Sequence, residues 1–219
     1  GEVMQFGGQV MKNVAGFDVT RLQSGAMGSL GLITDVSIKV LPEFKSGHTL
    51  TFDMTIEAAL EAMLRWANLS LPITGMSHFK GLLYIRLQGG AGGVASASSF
   101  LGGEKLASKA AEIFWQALRE GSLLQPRHDQ TLWRWSGASD TLANTVPNTS
   151  LINWAGAERW VLTETSDTPL EGLVQYQGGD RLAEVYGAIS APQQALQQRI
   201  KHAFDPHGIL NAGRLYAWM

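Results

Sequence analysis

Cysteine is absent from the 219 residues. That excludes disulfides, thiolate zinc sites, cysteine-ligated iron–sulfur clusters and thiol nucleophiles within the chain. Charge is scarce as well: Asp, Glu, Lys and Arg make up 16%, against about 25% in an ordinary soluble domain. The 17 basic and 19 acidic residues leave a net charge of −2. No nucleic-acid partner is expected, because phosphate neutralisation needs a clustered positive excess. Long apolar runs are missing too. The longest, Gly25 to Leu41, is broken by Asp35 and Lys39, so no transmembrane segment of ~18 apolar residues is expected. No basic-then-apolar leader is visible, and the opening at Gly1 reads as the middle of a domain. His48, His78, His128, His202 and His207 form no H-x-H or H-E-x-x-H pattern. No metal site is expected from them.

What is present is a folded chain: apolar residues make up 45%, which excludes disorder. Glu2–Phe6 alternates like a short strand, and Asp18-Val-Thr-Arg-Leu-Gln reads as a brief helix. Leu32–Leu41 is β-branched and alternating, the pattern of a strand, and stops at Pro42. Beyond it, His48–Met54 and Gly81–Gln88 are strand candidates. Thr55 is placed to cap a helix through Ala67, with Ile56, Leu60, Met63, Leu64 and Ala67 on one face. A second amphipathic helix is expected over Ser108–Glu120, ended by Gly121, and a third from Pro192 to Phe204. Short strands are expected near Leu132–Ser136, Leu151–Trp154, Glu158–Thr163 and Leu182–Tyr186. Strands and helices without strict alternation argue an α+β fold, an antiparallel sheet with helices packed on one face.

Two glycine clusters invite a ligand. Gly90-Ala-Gly92-Gly-Val-Ala95 follows a strand and matches G-x-G-x-x-A. That fingerprint needs a parallel strand ending in an acid ~20 residues on, and Glu112 at that distance falls inside a helical pattern. A Rossmann site is therefore rejected. The other cluster, Gly25-Ala-Met-Gly28-Ser-Leu-Gly31, repeats glycine every third residue. Such spacing is poor in a helix, where each glycine costs ~1 kcal/mol against alanine. It suits a backbone pressed against a flat or phosphorylated group.

The longer pattern Lys12-Asn13-Val-Ala-Gly16-Phe17-Asp18-Val, then Gly25-Ala-Met-Gly28-Ser-Leu-Gly31-Leu-Ile33-Thr34, resembles the vanillyl-alcohol-oxidase, or PCMH-type, FAD-linked oxidases. The closing Phe204-Asp-Pro-His-Gly-Ile-Leu-Asn211-Ala-Gly-Arg214 is similar to that family's last loop, with Ala212 where proline is usual. Interior segments Leu132–Ser136, Leu151–Trp160 and Leu196–Lys201 narrow the resemblance to flavin subunits of the glycolate oxidase type. The resemblance implies residues 1–43 as the end of an FAD-binding domain. Residues 44–219 would be a ferredoxin-like FAD-linked oxidase C-terminal domain. The family's Gly-rich pyrophosphate loop has no counterpart here, so the chain reads as the C-terminal portion of a longer subunit. FAD is implied for the intact subunit and not expected to stay on this portion alone.

By the same resemblance Asn13, Gly16 and Asp18 shape a flavin-side turn, and Gly28, Leu30, Gly31 and Ile33 line the dinucleotide. Asn211 approaches the flavin. Implied partners are a flavoprotein sister subunit, an iron–sulfur subunit and a small 2-hydroxy acid substrate. The implied location is cytoplasmic, with peripheral attachment to the inner membrane through those partners. The alternative of another class is a non-catalytic assembly subunit with weak or no flavin binding. No catalytic residue is assigned. Arg86, Arg134 and Arg159 are carboxylate-binding candidates by chemistry, set against a structural role packing on aromatics. Trp133, Trp135 and Trp160 are interface candidates, set against core filling.

Overall fold

A computed structural model describes residues 2–8, 18–44, 46–164, 172–179 and 186–219. The chain divides into two compact units, Gly1–Leu41 with Glu184–Met219, and Pro42–Ala183. The last segment thus groups with the first residues, where the sequence reading had placed everything after residue 43 in one domain.

In the first unit the expected brief helix is α1 (Val19–Gln23), capped by Asp18. Glu2–Phe6 and Leu32–Leu41 form no strand, against expectation. Alternation specifies an extended chain, but a strand also needs a ladder partner, and no described residue supplies one. Leu32, Val36, Ile38 and Val40 consequently stay exposed.

The second unit is built on one eight-stranded sheet. Its first half runs β1 (Ser46–Asp53), α2 (Ile56–Ala67), β2 (Ile73–Phe79), β3 (Leu82–Gly89), α3 (Ala91–Leu101) and β4 (Glu104–Lys105). Then come α4 (Ser108–Arg119), β5 (Thr131–Ser136), β6 (Thr149–Asn153), β7 (Glu158–Thr163) and β8 (Leu173–Gly178). The strand order is β4-β1-β3-β2-β6-β7-β5-β8, and every pairing is antiparallel. Gly90 accordingly caps α3 after an antiparallel strand, which agrees with rejecting a Rossmann site. The expected strand at Leu182–Tyr186 lies, apart from Tyr186, outside the described residues.

Period-two patterning explains the layers. On β3, Leu83, Ile85 and Leu87 are fully buried against α2, α3 and Leu50 of β1. The Lys80-Gly81 hairpin, both residues left-handed (φ 51° and 81°), sets that register. Thr55 caps α2 as expected, accepting from Ala58 N at 3.3 Å. The buried face is Ala59, Leu60, Ala62, Met63 and Trp66, while Leu64 is exposed.

Helices on one face only is the part of the expectation that fails. The opposite face carries Thr49, Tyr84 and Arg86, and α4 covers it. Phe114 stacks on Tyr84 with ring centroids 3.7 Å apart. Trp115 Nε1 donates to Thr49 Oγ1 at 2.8 Å, and the Arg86 guanidinium lies 4.8 Å from the Trp115 ring centre. Gly75 permits this approach, since a Cβ there would sit 3.2 Å from the Trp115 ring. A half-polar sheet face needs a helix that brings donors as well as apolar surface, and α4 brings both.

The first unit closes with α5 (Ala191–Phe204). Gln193 Oε1 accepts from Ser190 N at 3.0 Å, a capping-box contact that fixes its start.

Candidate functional site

The glycine-rich turn of the first unit is folded by its own backbone. Asp18 Oδ1 accepts from Arg21 N at 3.1 Å and starts α1. The helix is followed by Ala26 N donating to Gln23 O at 3.2 Å. Ser29 then brings its N (2.9 Å) and its Oγ (2.7 Å) onto Ala26 O. This closure holds Met27 and Gly28 in left-handed backbone, φ 48° and 73°. Ala26, Ser29 and Leu30 are buried, so the turn is anchored from both sides of its tip.

The second wall comes from the end of α5. Lys201 is the one buried residue of that helix. Its Nζ donates to Ser29 O at 2.8 Å, to Asp205 Oδ2 at 2.7 Å and to Leu210 O at 2.6 Å. Asp205 Oδ2 also accepts from Leu210 N at 2.8 Å. Hydrogen bonds from the Lys201 ammonium and the Leu210 amide hold the Asp205 carboxyl down, from 3.8 to about 2. Asn211, left-handed itself (φ 43°), donates from Nδ2 to Met27 O at 2.6 Å.

Two motifs 184 residues apart therefore meet. Gly28 and Asn211 are in van der Waals reach, and a Cβ on Gly28 would lie 2.9 Å from Asn211 Nδ2. Gly31 follows with nothing within 4 Å of where its Cβ would be. The Leu30 side chain is buried and Ile33 is exposed. Asp18 is at the exposed start of α1, with its carboxylate on Arg21. Asn13 and Gly16 lie outside the described residues.

Among the described residues, the N–H groups of Gly28, Leu30 and Gly31 make no hydrogen bond, while the carbonyls of Ala26, Met27 and Ser29 all accept one. Free amides beside an open glycine fit a ligand such as FAD, which needs backbone donors at close range. The sequence points to a helix from Pro192 to Phe204, its apolar stripe formed by Leu196, Ile200 and Phe204, and singles out neither Lys201 nor Asp205 as a site residue. A signal was there. An aspartate at a helix C-terminus opposes the dipole, and Lys before Asp at i,i+4 is the weaker order, so a tertiary role was indicated.

In the second unit, the arginine candidates are committed to protein. Arg159 is buried and donates to the carbonyls of Leu142 (2.8 Å) and Thr141 while lying over Trp135. Arg134 pairs with the buried Glu158 at 2.6 Å between Trp154 and Trp160. Arg86 donates through Nε and Nη2 to Thr74, 2.9 Å each. Desolvation lowers the pKa of both Arg86 and Arg159. Trp133 is core, at 2% exposure, with Val146, Val161 and Leu173, which removes it as an interface candidate. The outward tryptophan is Trp154, at 58%. Among the described residues no three His, Asp or Glu side chains group for a metal ion, and no helix is long and apolar enough to cross a membrane.

No family model matches the chain. Over 222 aligned positions, 99% of this chain, it is 38% identical to the glycolate oxidase subunit GlcE of Escherichia coli (strain K12). The chain resembles this subunit along almost its whole length. It spans 62% of that relative's length. A local likeness, 40% identical over 50 residues, is to the glycolate oxidase subunit GlcD of Bacillus subtilis (strain 168). It covers 23% of this chain and 11% of that relative. Because 99% of the chain is aligned to GlcE, the GlcE-like region takes in both walls of the Gly28–Asn211 site.

Proposed function

We propose that this chain forms part of an FAD-dependent subunit of a glycolate-oxidase-type complex. The observation that carries the reading is the convergence of Gly28 and Asn211, with free amides at Gly28, Leu30 and Gly31 beside them. Gly28, Leu30, Gly31 and Ile33 would follow the dinucleotide, and Asn13, Gly16 and Asp18 the adjoining turn. When bound, FAD supplies the hydride acceptor for oxidising glycolate, or a like 2-hydroxy acid, to the 2-oxo acid. The chain's own part is to hold the cofactor against ordered backbone. The β-α-β-β-α-β start of the second unit supports reading it as the ferredoxin-like cap domain of this family. Electrons would leave through an iron–sulfur subunit, since no cysteine here can ligate a cluster. A flavoprotein sister completes the assembly, cytoplasmic and attached to the inner membrane through partners. The 219 residues alone retain no FAD in this reading, because the contacts around Gly28 and Asn211 cannot by themselves offset the cost of immobilising so large a ligand.

One observation favours the second reading, an assembly subunit without catalysis: Arg86, Arg134 and Arg159 are all engaged by protein groups, so none awaits a carboxylate. The test is flavin content of the intact subunit purified within its complex, followed by anaerobic addition of glycolate. One flavin per subunit that glycolate bleaches supports catalysis. A colourless subunit in an active complex selects the assembly role.

A further inference from the structure

The ammonium of Lys201 does more than pair with Asp205. Its three protons meet three acceptors at 2.6–2.8 Å, two of them main-chain carbonyls from segments far apart in sequence. Ser29 O lies one residue beyond Gly28, and Leu210 O one residue before Asn211. With Asn211 Nδ2 on Met27 O, one carbonyl flanking Gly28 is tied to the closing loop and the other to Lys201 of α5. The amides of Gly28, Leu30 and Gly31 are left uncommitted among the described residues.

We propose that Lys201 is a positioning residue for the ligand-facing turn: by fixing the carbonyl side it holds the Gly28, Leu30 and Gly31 amides ready for the cofactor. This rests on the flavin reading above and assigns Lys201 a role in it. The charge is required as well as the length of the side chain. A lysine with all three donors used, 7% exposed beside a carboxylate 5% exposed, cannot be replaced by an apolar chain without leaving the Ser29 and Leu210 carbonyls unpartnered and the Asp205 carboxylate, held only by the Leu210 amide, without its counter-charge. The turn would then sample other arrangements, and ordering it would be charged against binding.

The experiment uses the intact subunit. Its apo form is titrated with FAD as wild type, Lys201→Met and Ile200→Ala, with the visible circular dichroism of bound flavin recorded alongside. Ile200 is a half-buried neighbour on α5 with no bond to the turn, so its variant controls for destabilisation of the helix. Lys201→Met is expected to weaken FAD binding about tenfold or more and to change the flavin dichroism. Ile200→Ala, matched for fraction folded, keeps both. In wild type, FAD is further expected to slow hydrogen exchange at the Gly28, Leu30 and Gly31 amides. That measurement stands even if Lys201→Met does not fold. Wild-type affinity and dichroism in Lys201→Met, or no slowing at those amides, overturns the positioning role while the flavin reading survives. A wild-type subunit that binds no FAD overturns both.

Discussion

Gly28→Ala separates what holds the turn together from what the turn holds. At φ 73° an L side chain is strained by about 1–2 kcal/mol. The new Cβ also falls 2.9 Å from Asn211 Nδ2, so Asn211 must give way. Its 2.6 Å bond to Met27 O is then lost, a further ~0.5–1.5 kcal/mol. The lower backbone entropy of alanine in the unfolded chain returns about 0.4–1 kcal/mol. The net is a destabilisation of the first unit by roughly 0.5–3 kcal/mol. Gly31→Ala has neither penalty, with open space around its Cβ and a backbone outside the left-handed region. Its stability should equal or slightly exceed wild type. For flavin, however, Gly31→Val should be the damaging change in the intact subunit, because it fills the ligand's side of the backbone. Hydrogen exchange at the Ser29 and Leu210 amides against urea reports the first effect, and flavin absorbance the second. If Gly28→Ala is as stable as wild type, or Gly31→Ala is as destabilised as Gly28→Ala, the account of this turn is wrong.

Other expectations follow from the same contacts. Arg159→Met orphans the carbonyls of Thr141 and Leu142 and should cost the second unit about 3 kcal/mol or more in urea unfolding; a smaller loss would mean water replaces the guanidinium. Trp133→Ala should cost about 3–5 kcal/mol and Trp154→Ala under about 1 kcal/mol, so equal melting temperatures would contradict the burial of Trp133. Asp205 has a folded pKa of about 2 against an ordinary 3.8, so the stability it contributes is complete above the ordinary value and fades as pH falls towards the folded one. Protection of the Leu210 amide should drop across that window in wild type and stay flat in Asp205→Asn.

The parts of the fold written locally were legible from sequence. The Thr55 cap, the alternation of Leu83, Ile85 and Leu87 and the Pro192 start of α5 each specify their element within a few residues. What depended on distant partners was not. Leu32–Leu41 has a strand's pattern and lacks a strand's neighbour. The placement of α4 follows from Tyr84 and Arg86 needing cover, which no helix periodicity announces. At the site, Gly28 and Asn211 could be named from motifs. The group that joins their segments, Lys201, sits in a helix whose apolar stripe drew attention to other residues. Its burial is decided by carbonyls at Ser29 and Leu210, and carbonyls leave no trace in a sequence.

The distance along the chain between the two walls also governs how the protein is made. Ser29 and Lys201 are 172 residues apart, so at ~5–20 residues per second a translating ribosome separates them by roughly 10–35 s. During that interval the whole 42–183 unit emerges and can fold on contacts of its own. The glycine turn meanwhile waits for its lysine. Synthesis slowed within the second unit lengthens that wait, and a chain released before residue 201 never closes the turn. Nascent-chain yield should therefore respond to codon choice between residues 42 and 183 more steeply than to changes after Asn211.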